Sequence, residues 1–339
     1  MTDFYALTNE EQATRLTALA AAALDAWDGD FDEPKLIKYR ENAVFSVRRG
    51  DGYRAALRVH RHGYHTDAAL QSELFWMSEL AKAGIDVPPV APSRNGRPFV
   101  HVGVAGVPEV RQVDMLGWLS GAPIGSAEDG LDLAGAANED LYFKAGQLAA
   151  RLHALNATIA LPPSFTRHSW DANGLIGDNP LWGRFWELAA LKPAQRDALH
   201  GARAKAAAEL AAFGGKADRY GMIHADLVPE NLMNDGGRLK LIDFDDCGFG
   251  WYMFELATAL YFIIEDANYA ALKDALFAGY RSVFSLPADH EAMLPLFLFL
   301  RGTTYLGWVQ TRPETQTARE LGPILIARTC RLTADYLEA

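Results

Sequence analysis

A polar loop fenced by two apolar runs constrains this 339-residue chain more than any other feature. Met222-Ile223 leads into His224-Ala225-Asp226-Leu227-Val228-Pro229-Glu230-Asn231-Leu232, and Leu239-Lys240-Leu241-Ile242 leads into Asp243-Phe244-Asp245-Asp246. Short apolar runs bounded by turn residues read as buried strands. Asp226 and Asn231 on the loop and Asp243 at the returning strand end form an all-oxygen set suited to a hard divalent cation. Asp and Asn are also ordinary turn residues, so each alone says little. Three of them held between rigid strands point to chemistry.

The surroundings of this unit are helical. From Gly121 onward, apolar spacing predicts helices over 139–155, 193–213, 253–265, 269–284, 290–310 and 317–337. The N-terminal third differs. Asn9 as N-cap with Gln12 in the capping-box position predicts a helix over 9–27 that carries Leu16, Leu19 and Ala23. Ala43–Val47, a Gly50-Asp51-Gly52 turn and Tyr53–Val59 predict a hairpin. Residues 66–83 read as a helix stopped by Gly84, with strands following around 99–104 and 109–115. The expected fold class is α+β and bilobal. A small antiparallel-sheet lobe with an extra N-terminal helix occupies 1–116, a larger helical lobe occupies 117–339, and the boundary lies within 117–125.

Composition removes several function classes. Half the residues are hydrophobic and 22% are charged, which is globular rather than disordered. Two cysteines exclude a Cys-rich metal site, although one disulfide remains possible on counting. The acidic, Ala-rich start lacks the basic and apolar regions of a secretory leader, so a cytoplasmic location is expected. The net charge of −11, with no Lys/Arg run, argues against a nucleic-acid partner. The longest apolar stretches, 256–264 and 293–300, fall short of the roughly 20 residues that span a bilayer, so no membrane association is expected.

His224-x-Asp226-x-x-x-x-Asn231 resembles the H-x-D-x-x-x-x-N catalytic loop of the aminoglycoside phosphotransferase and type II homoserine kinase group within the protein-kinase-like superfamily. Asp243-Phe244-Asp245 stands where kinases carry D-F-G. The resemblance, over roughly residues 38 to 310, implies an ATP- and magnesium-dependent phosphotransferase. In it Asp226 accepts or orients the proton of an attacking hydroxyl, Asn231 and Asp243 hold Mg2+, and Asp245 is a metal partner in the ion's outer shell. His224 is expected to hydrogen-bond beneath the loop. Ala56-Leu57-Arg58-Val59 resembles the V-A-I-K strand whose cation grips the nucleotide phosphates, with Arg58 replacing lysine. Arginine keeps the charge but is not interchangeable with lysine, and a merely solvated strand residue is the competing reading. Glu73 lies at the edge of the Leu70-Leu74-Met77-Ala81 stripe, whereas Glu79 faces away, so Glu73 is the expected partner of Arg58. No G-x-G-x-x-G covers the phosphates. Glu41-Asn42-Ala43-Val44-Phe45 is similar to the group's E-N-x-x-Y/F pattern, in which Asn42 either reaches phosphate or caps a turn. The 114–121 segment resembles the hinge whose backbone bonds adenine, making Leu116 and Trp118 candidate nucleotide contacts.

Few residues separate Asp245 from the helix expected near Met253. That leaves no room for the activation segment on which protein kinases seat a peptide, so a small-molecule hydroxyl acceptor is expected. Asp246, Trp251, Tyr252 and Glu255 follow the metal strand, Trp170, Asp171, Trp182 and Trp186 lie in the irregular 160–187 stretch, and Tyr305 and Trp308 are further candidates. Rings beside carboxylates favour an amine-bearing acceptor such as an amino alcohol, amino sugar or hydroxy amino acid, homoserine among them. Ordinary core packing of those rings is the alternative. The rival functions are a Ser/Thr protein kinase resembling the bacterial stress-response kinase, a nucleotide-binding pseudokinase regulator, and a metal-dependent phosphohydrolase.

Overall fold

The computed structural model describes residues 4–126, 130–132, 135–313 and 315–339. Contacts divide the chain into two compact units, one of Met1–Ser120 with Ala160–Thr166, the other of Gly121–Ile159 with Arg167–Ala339.

The first unit is a five-stranded antiparallel sheet in the order β1-β2-β3-β5-β4, built from β1 (Lys35–Tyr39), β2 (Ala43–Arg48), β3 (Arg54–Val59), β4 (Phe99–Val102) and β5 (Arg111–Gly117). Side chains alternate across a pleated strand, so Ala43, Phe45 and Val47, then Ala55, Leu57 and Val59, join Val113 and Met115 in one core. Helix α1 (Asn9–Ala23) adds Leu16, Leu19, Ala20 and Ala23 to that core. Its N-cap is Thr8, one residue earlier than the sequence suggested. Thr8 Oγ1 accepts from Glu11 N at 3.3 Å, and Thr8 N donates to Glu11 Oε2 at 2.9 Å. Both T-x-x-E and N-x-x-Q satisfy the motif, and the pair with a carboxylate at the positive helix end wins. Helix α2 (Asp67–Lys82) starts at a Thr66 cap and stops at Gly84, whose φ of +79° suits a residue without Cβ. Residues 160–166 return to this unit: Thr166 N donates to Ser72 Oγ at 2.9 Å and Phe165 meets Phe75 edge-on. No composition shift marks that return.

The second unit carries short strands β6 (Ala122–Pro123), β7 (Gly125–Ser126) and β8 (Gly130–Leu131), then helix α3 (Ala136–Leu155), β9 (Ser169–Trp170), α4 (Ala172–Ile176) and α5 (Pro193–Phe213). The strands β10 (Tyr220–Ile223), β11 (Leu232–Asp235), β12 (Arg238–Leu241) and β13 (Gly248–Trp251) follow, then helices α6 (Tyr252–Tyr261), α7 (Tyr269–Arg281), α8 (Ala288–Glu291), α9 (Leu294–Thr311) and α10 (Gln316–Glu338). The expected long helix from 290 is broken, with Pro295 opening α9 as its missing N–H allows. Helices α3 and α7 cross at Gly146 and Gly279, where a Cβ would stand 1.9 Å from Leu276 O and Phe143 O respectively. Ala288–Thr311 is long and apolar enough to cross a membrane by length and composition, beyond what the shorter sequence runs suggested, yet 72% of its apolar window is buried inside the chain's own fold. Cys247 and Cys330 are both free thiols.

Candidate active site

Strand β10 delivers the chain into the 224–231 loop, and β11 and β12 return it as a hairpin in which Leu232 pairs Leu241. Ile242 N donates to Asn231 O at 3.0 Å, so the start of the 243–246 run is tied to the end of the loop. His224 is wholly buried. Burial drives its pKa down to about 3, so the ring is neutral. Nδ1 accepts from Asp226 N at 3.3 Å, which leaves Nε2 to donate to Ile242 O at 3.0 Å. His224 thus holds the loop against β12.

Ala225 has φ +64°, a left-handed conformation that costs a side-chain-bearing residue about 1–2 kcal/mol. Two buried charged groups hold its peptides. Glu255 accepts from His224 N at 2.8 Å and from Ala225 N at 2.7 Å, while Arg301 Nη1 donates to Ala225 O at 3.0 Å. Burial pushes Glu255 up to about 7, against the pull of those two amides and of Arg301.

Asp226 has both carboxylate oxygens engaged: Oδ1 accepts from Arg301 Nη2 at 2.7 Å and Oδ2 from Asn231 Nδ2 at 2.8 Å. Its side chain remains 21% exposed. Burial raises its pKa and the Arg301 charge opposes the rise. Asn231 Nδ2 also donates to Asp226 O at 2.9 Å, so the amide oxygen is the atom Asn231 has left to offer. Asp243 is exposed with φ +65°, a region Asp tolerates better than most residues. Asp245 is 7% exposed. Asp246 is pushed well above the usual carboxylate range by removal from water and then by the charges of Asp226, Asp245 and Asp243. Four carboxylates therefore share one electrostatic neighbourhood, and their all-oxygen donor set, with the Asn231 amide oxygen, fits a hard divalent cation.

In the first unit Arg58 is 5% exposed rather than solvated. It grips Asp114 bidentately, Nε to Oδ1 at 2.9 Å and Nη2 to Oδ2 at 2.7 Å, and Nη2 also meets Glu73 Oε1 at 2.8 Å. His60 Nε2 lies 2.8 Å from Asp114 Oδ2. Glu79 instead pairs with Lys82.

Other candidates sit differently from what their sequence positions suggested. Gly117 N donates to Pro89 O and Trp118 N to Arg54 O, so those hinge amides are used within the chain, and the Trp118 ring lies under Arg54 at 3.4 Å. Leu116 is buried in β5. Asn42 Oδ1 accepts from Arg61 N at 3.1 Å and so ties the start of β2 to the end of β3. Trp251 donates to Gly214 O and meets Tyr220 edge-on and Phe297 at a tilt, while Tyr252 lies flat on His153, 4.1 Å between centroids. Glu255 serves the loop backbone. All three are buried in the second unit. Trp170, wholly buried, donates to Asp246 O at 2.9 Å. Tyr305 and Trp182, expected around a ligand cation, have their faces toward the protein's own Arg301, at 4.3 and 5.3 Å. Asp114, His60 and Arg301 were not anticipated. For Arg301 a signal existed: a lone charge inside Leu294–Trp308, an otherwise nearly uncharged helical run, must have a buried partner.

Residues 36–296 match the family model described as "Phosphotransferase enzyme family". The solved structure of a microcompartment-associated aminopropanol kinase superposes with a TM-score of 0.82 at 34% identity, covering 95% of this chain and 97% of that one. An amicoumacin kinase in complex with AMP-PNP, Ca2+ and Ami gives a TM-score of 0.76 at 19% identity, covering 97% and 96%, a likeness of fold. In sequence, the chain is 25% identical over 234 residues to the amicoumacin kinase of Bacillus subtilis (strain 168), a match spanning 69% of this chain and 64% of that protein. Its α+β architecture is that of the protein-kinase-like phosphotransferases, and the chain belongs to the phosphotransferase enzyme family.

Proposed function

We propose that the protein transfers the γ-phosphoryl group of ATP, with Mg2+, to the hydroxyl of a small amine-bearing acceptor. Family membership makes it a phosphotransferase acting on an alcohol group. The observation that carries the reading is the Asp226 carboxylate, held by Asn231 on one oxygen and Arg301 on the other at a partly exposed loop. Asp226 takes the proton of the attacking hydroxyl as that oxygen bonds to the γ-phosphorus. The bridging bond to the β-phosphate breaks and its electrons leave with ADP. Asn231 Oδ1, Asp243 and Asp245 would hold Mg2+, which when bound neutralises charge on the phosphate oxygens. Positioning supplies much of the remaining rate. Arg58, steadied by Glu73 and Asp114, is assigned to the nucleotide, together with the backbone at Leu116.

Asp246 is the acidic group that neither the base nor the metal role uses, and a carboxylate in a crowded anionic field suits an ammonium group. The likeness to an aminopropanol kinase over nearly the whole of both chains supports an amino alcohol ahead of a polypeptide. The two free thiols suit a reducing cytoplasm. The test is incubation of purified protein with γ-labelled ATP, Mg2+ and separate panels of amino alcohols, amino sugars, hydroxy amino acids and polypeptides. Label on an amine-bearing small molecule is the expected result. Label on polypeptide alone, or ADP release that no acceptor stimulates, overturns the proposal.

A further inference from the structure

We infer that Arg301 is a positioning residue for the transfer step, a buried cation that fixes the Asp226 carboxylate and the strained peptide before it; the inference rests on the kinase reading of Asp226. Arg301 stands in the middle of α9, 75 residues from Asp226 in sequence, and is 0% exposed. Its guanidinium bonds Ala225 O, Asp226 Oδ1 and the Tyr305 hydroxyl, and lies over the faces of Tyr305, Trp182 and Phe254. Nε is buried without a hydrogen-bond partner among the described residues. Apolar replacements of buried ion pairs are often neutral or better for stability, so stability alone does not account for a wholly buried arginine at this position. Arg301 spends its Nη donors on the Asp226 carboxylate, on the peptide oxygen before it and on the Tyr305 hydroxyl of its own helix.

The geometry explains what that spending achieves. Ala225 is left-handed, and the torsion is pinned from the N–H side by Glu255 and from the C=O side by Arg301. The next residue's carboxylate is then pinned on Oδ1 by the same guanidinium and on Oδ2 by Asn231. Rotation of the Asp226 side chain is blocked at both ends, so the lone pairs those bonds leave over keep one direction. Small displacements of a proton acceptor are costly to rate while leaving substrate binding intact.

The test compares wild type, Arg301→Lys and Arg301→Met, and repeats Arg301→Met in an Asp226→Asn background, where no buried carboxylate charge is stranded at 226. Loss of a charged hydrogen-bond partner predicts a kcat about 10- to 100-fold lower for Arg301→Met, with the acceptor KM and the affinity for AMP-PNP with Mg2+ within about threefold of wild type. Arg301→Lys recovers part of the loss. In the Asp226→Asn background the substitution costs nothing further. Activity is referred to the folded fraction, counted by AMP-PNP binding stoichiometry. A kcat within about threefold of wild type, or an equal loss in both backgrounds, overturns the inference. Failure of the wild-type protein to phosphorylate any small acceptor overturns the kinase reading instead.

Discussion

Replacing Arg58 with methionine tests whether the buried charges of the first unit hold one another in place. Asp114 is 0% exposed and so is Glu73, and the Arg58 guanidinium supplies three hydrogen bonds to the pair. Burial by itself would raise the Asp114 pKa, but the charges of Arg58 and His60 and their hydrogen bonds overrule it and hold the group at about 2. Against an ordinary aspartate near 3.9, that is on the order of 2–3 kcal/mol of stability at neutral pH from this one group. With methionine at 58, two buried carboxylates lose the guanidinium, and breaking a buried pair in this way costs about 3–5 kcal/mol.

The pH dependence follows from the direction of each shift. In wild type the folded pKa lies below the unfolded one, so the contribution is complete above about pH 4 and is lost only as pH falls toward 2. In the variant Asp114 keeps only the His60 contact against its burial, which pushes the carboxyl up above its unfolded value, so its folded form is favoured at low pH and loses stability as pH rises. The difference between the two proteins must therefore widen from about pH 5 to pH 8. Urea denaturation followed by far-UV circular dichroism at several pH values reads it directly. A loss below about 1 kcal/mol at pH 8, or a gap that stays constant with pH, would refute the reasoning.

Three further substitutions test other parts of the structure. Glu255→Gln keeps the size of the side chain but offers an NH2 to one of the two backbone amides that Glu255 now accepts, so thermal denaturation should report a loss of about 1–3 kcal/mol; an unchanged midpoint would mean the loop does not depend on that brace. Asp243→Asn should remove most of the Mg2+-dependent part of AMP-PNP binding in calorimetry and spare the part that persists in chelator, whereas equal weakening of both would move the metal elsewhere. Gly146→Ala puts a methyl 1.9 Å from Leu276 O where α3 crosses α7, and the helices must separate at a cost of about 1–3 kcal/mol or more; a urea midpoint equal to wild type would contradict the close crossing.

Local signals made much of this molecule readable. Alternation marked β2 and β3, Gly84 marked the end of α2, and the spacing of Asp226 and Asn231 between apolar runs marked the loop. Strand β13 was not readable, because Gly-Phe-Gly-Trp has poor strand propensity; Gly250 is there since a Cβ would come within 2.5 Å of Ile223. The surroundings of the aromatic candidates were unreadable for a different reason. Trp251, Tyr252 and Tyr305 have the same composition whether they line a ligand or a core, and only the partner of each polar tip decides: Gly214 O, Asn156 Nδ2 and Arg301 Nη2.

Charged partners obey a rule that a motif cannot express. A buried charge must find its opposite wherever the fold brings one. For Arg58 that is Glu73, 15 residues on, and Asp114, 56 residues on and directly across the β3–β5 ladder; for Asp226 it is Arg301, 75 residues on. The departure from lysine at position 58 becomes intelligible on this basis. A lysine ammonium is a point charge that one helix glutamate can satisfy, whereas a guanidinium presents a planar fork. Asp114 meets that fork with both oxygens while Glu73 takes the same Nη2 from the helix side. Arginine at 58 and aspartate at 114 are thus one feature written in two places. Under the proposed function, the cation offered to a nucleotide is a delocalised one, anchored on two sides by Asp114 and Glu73.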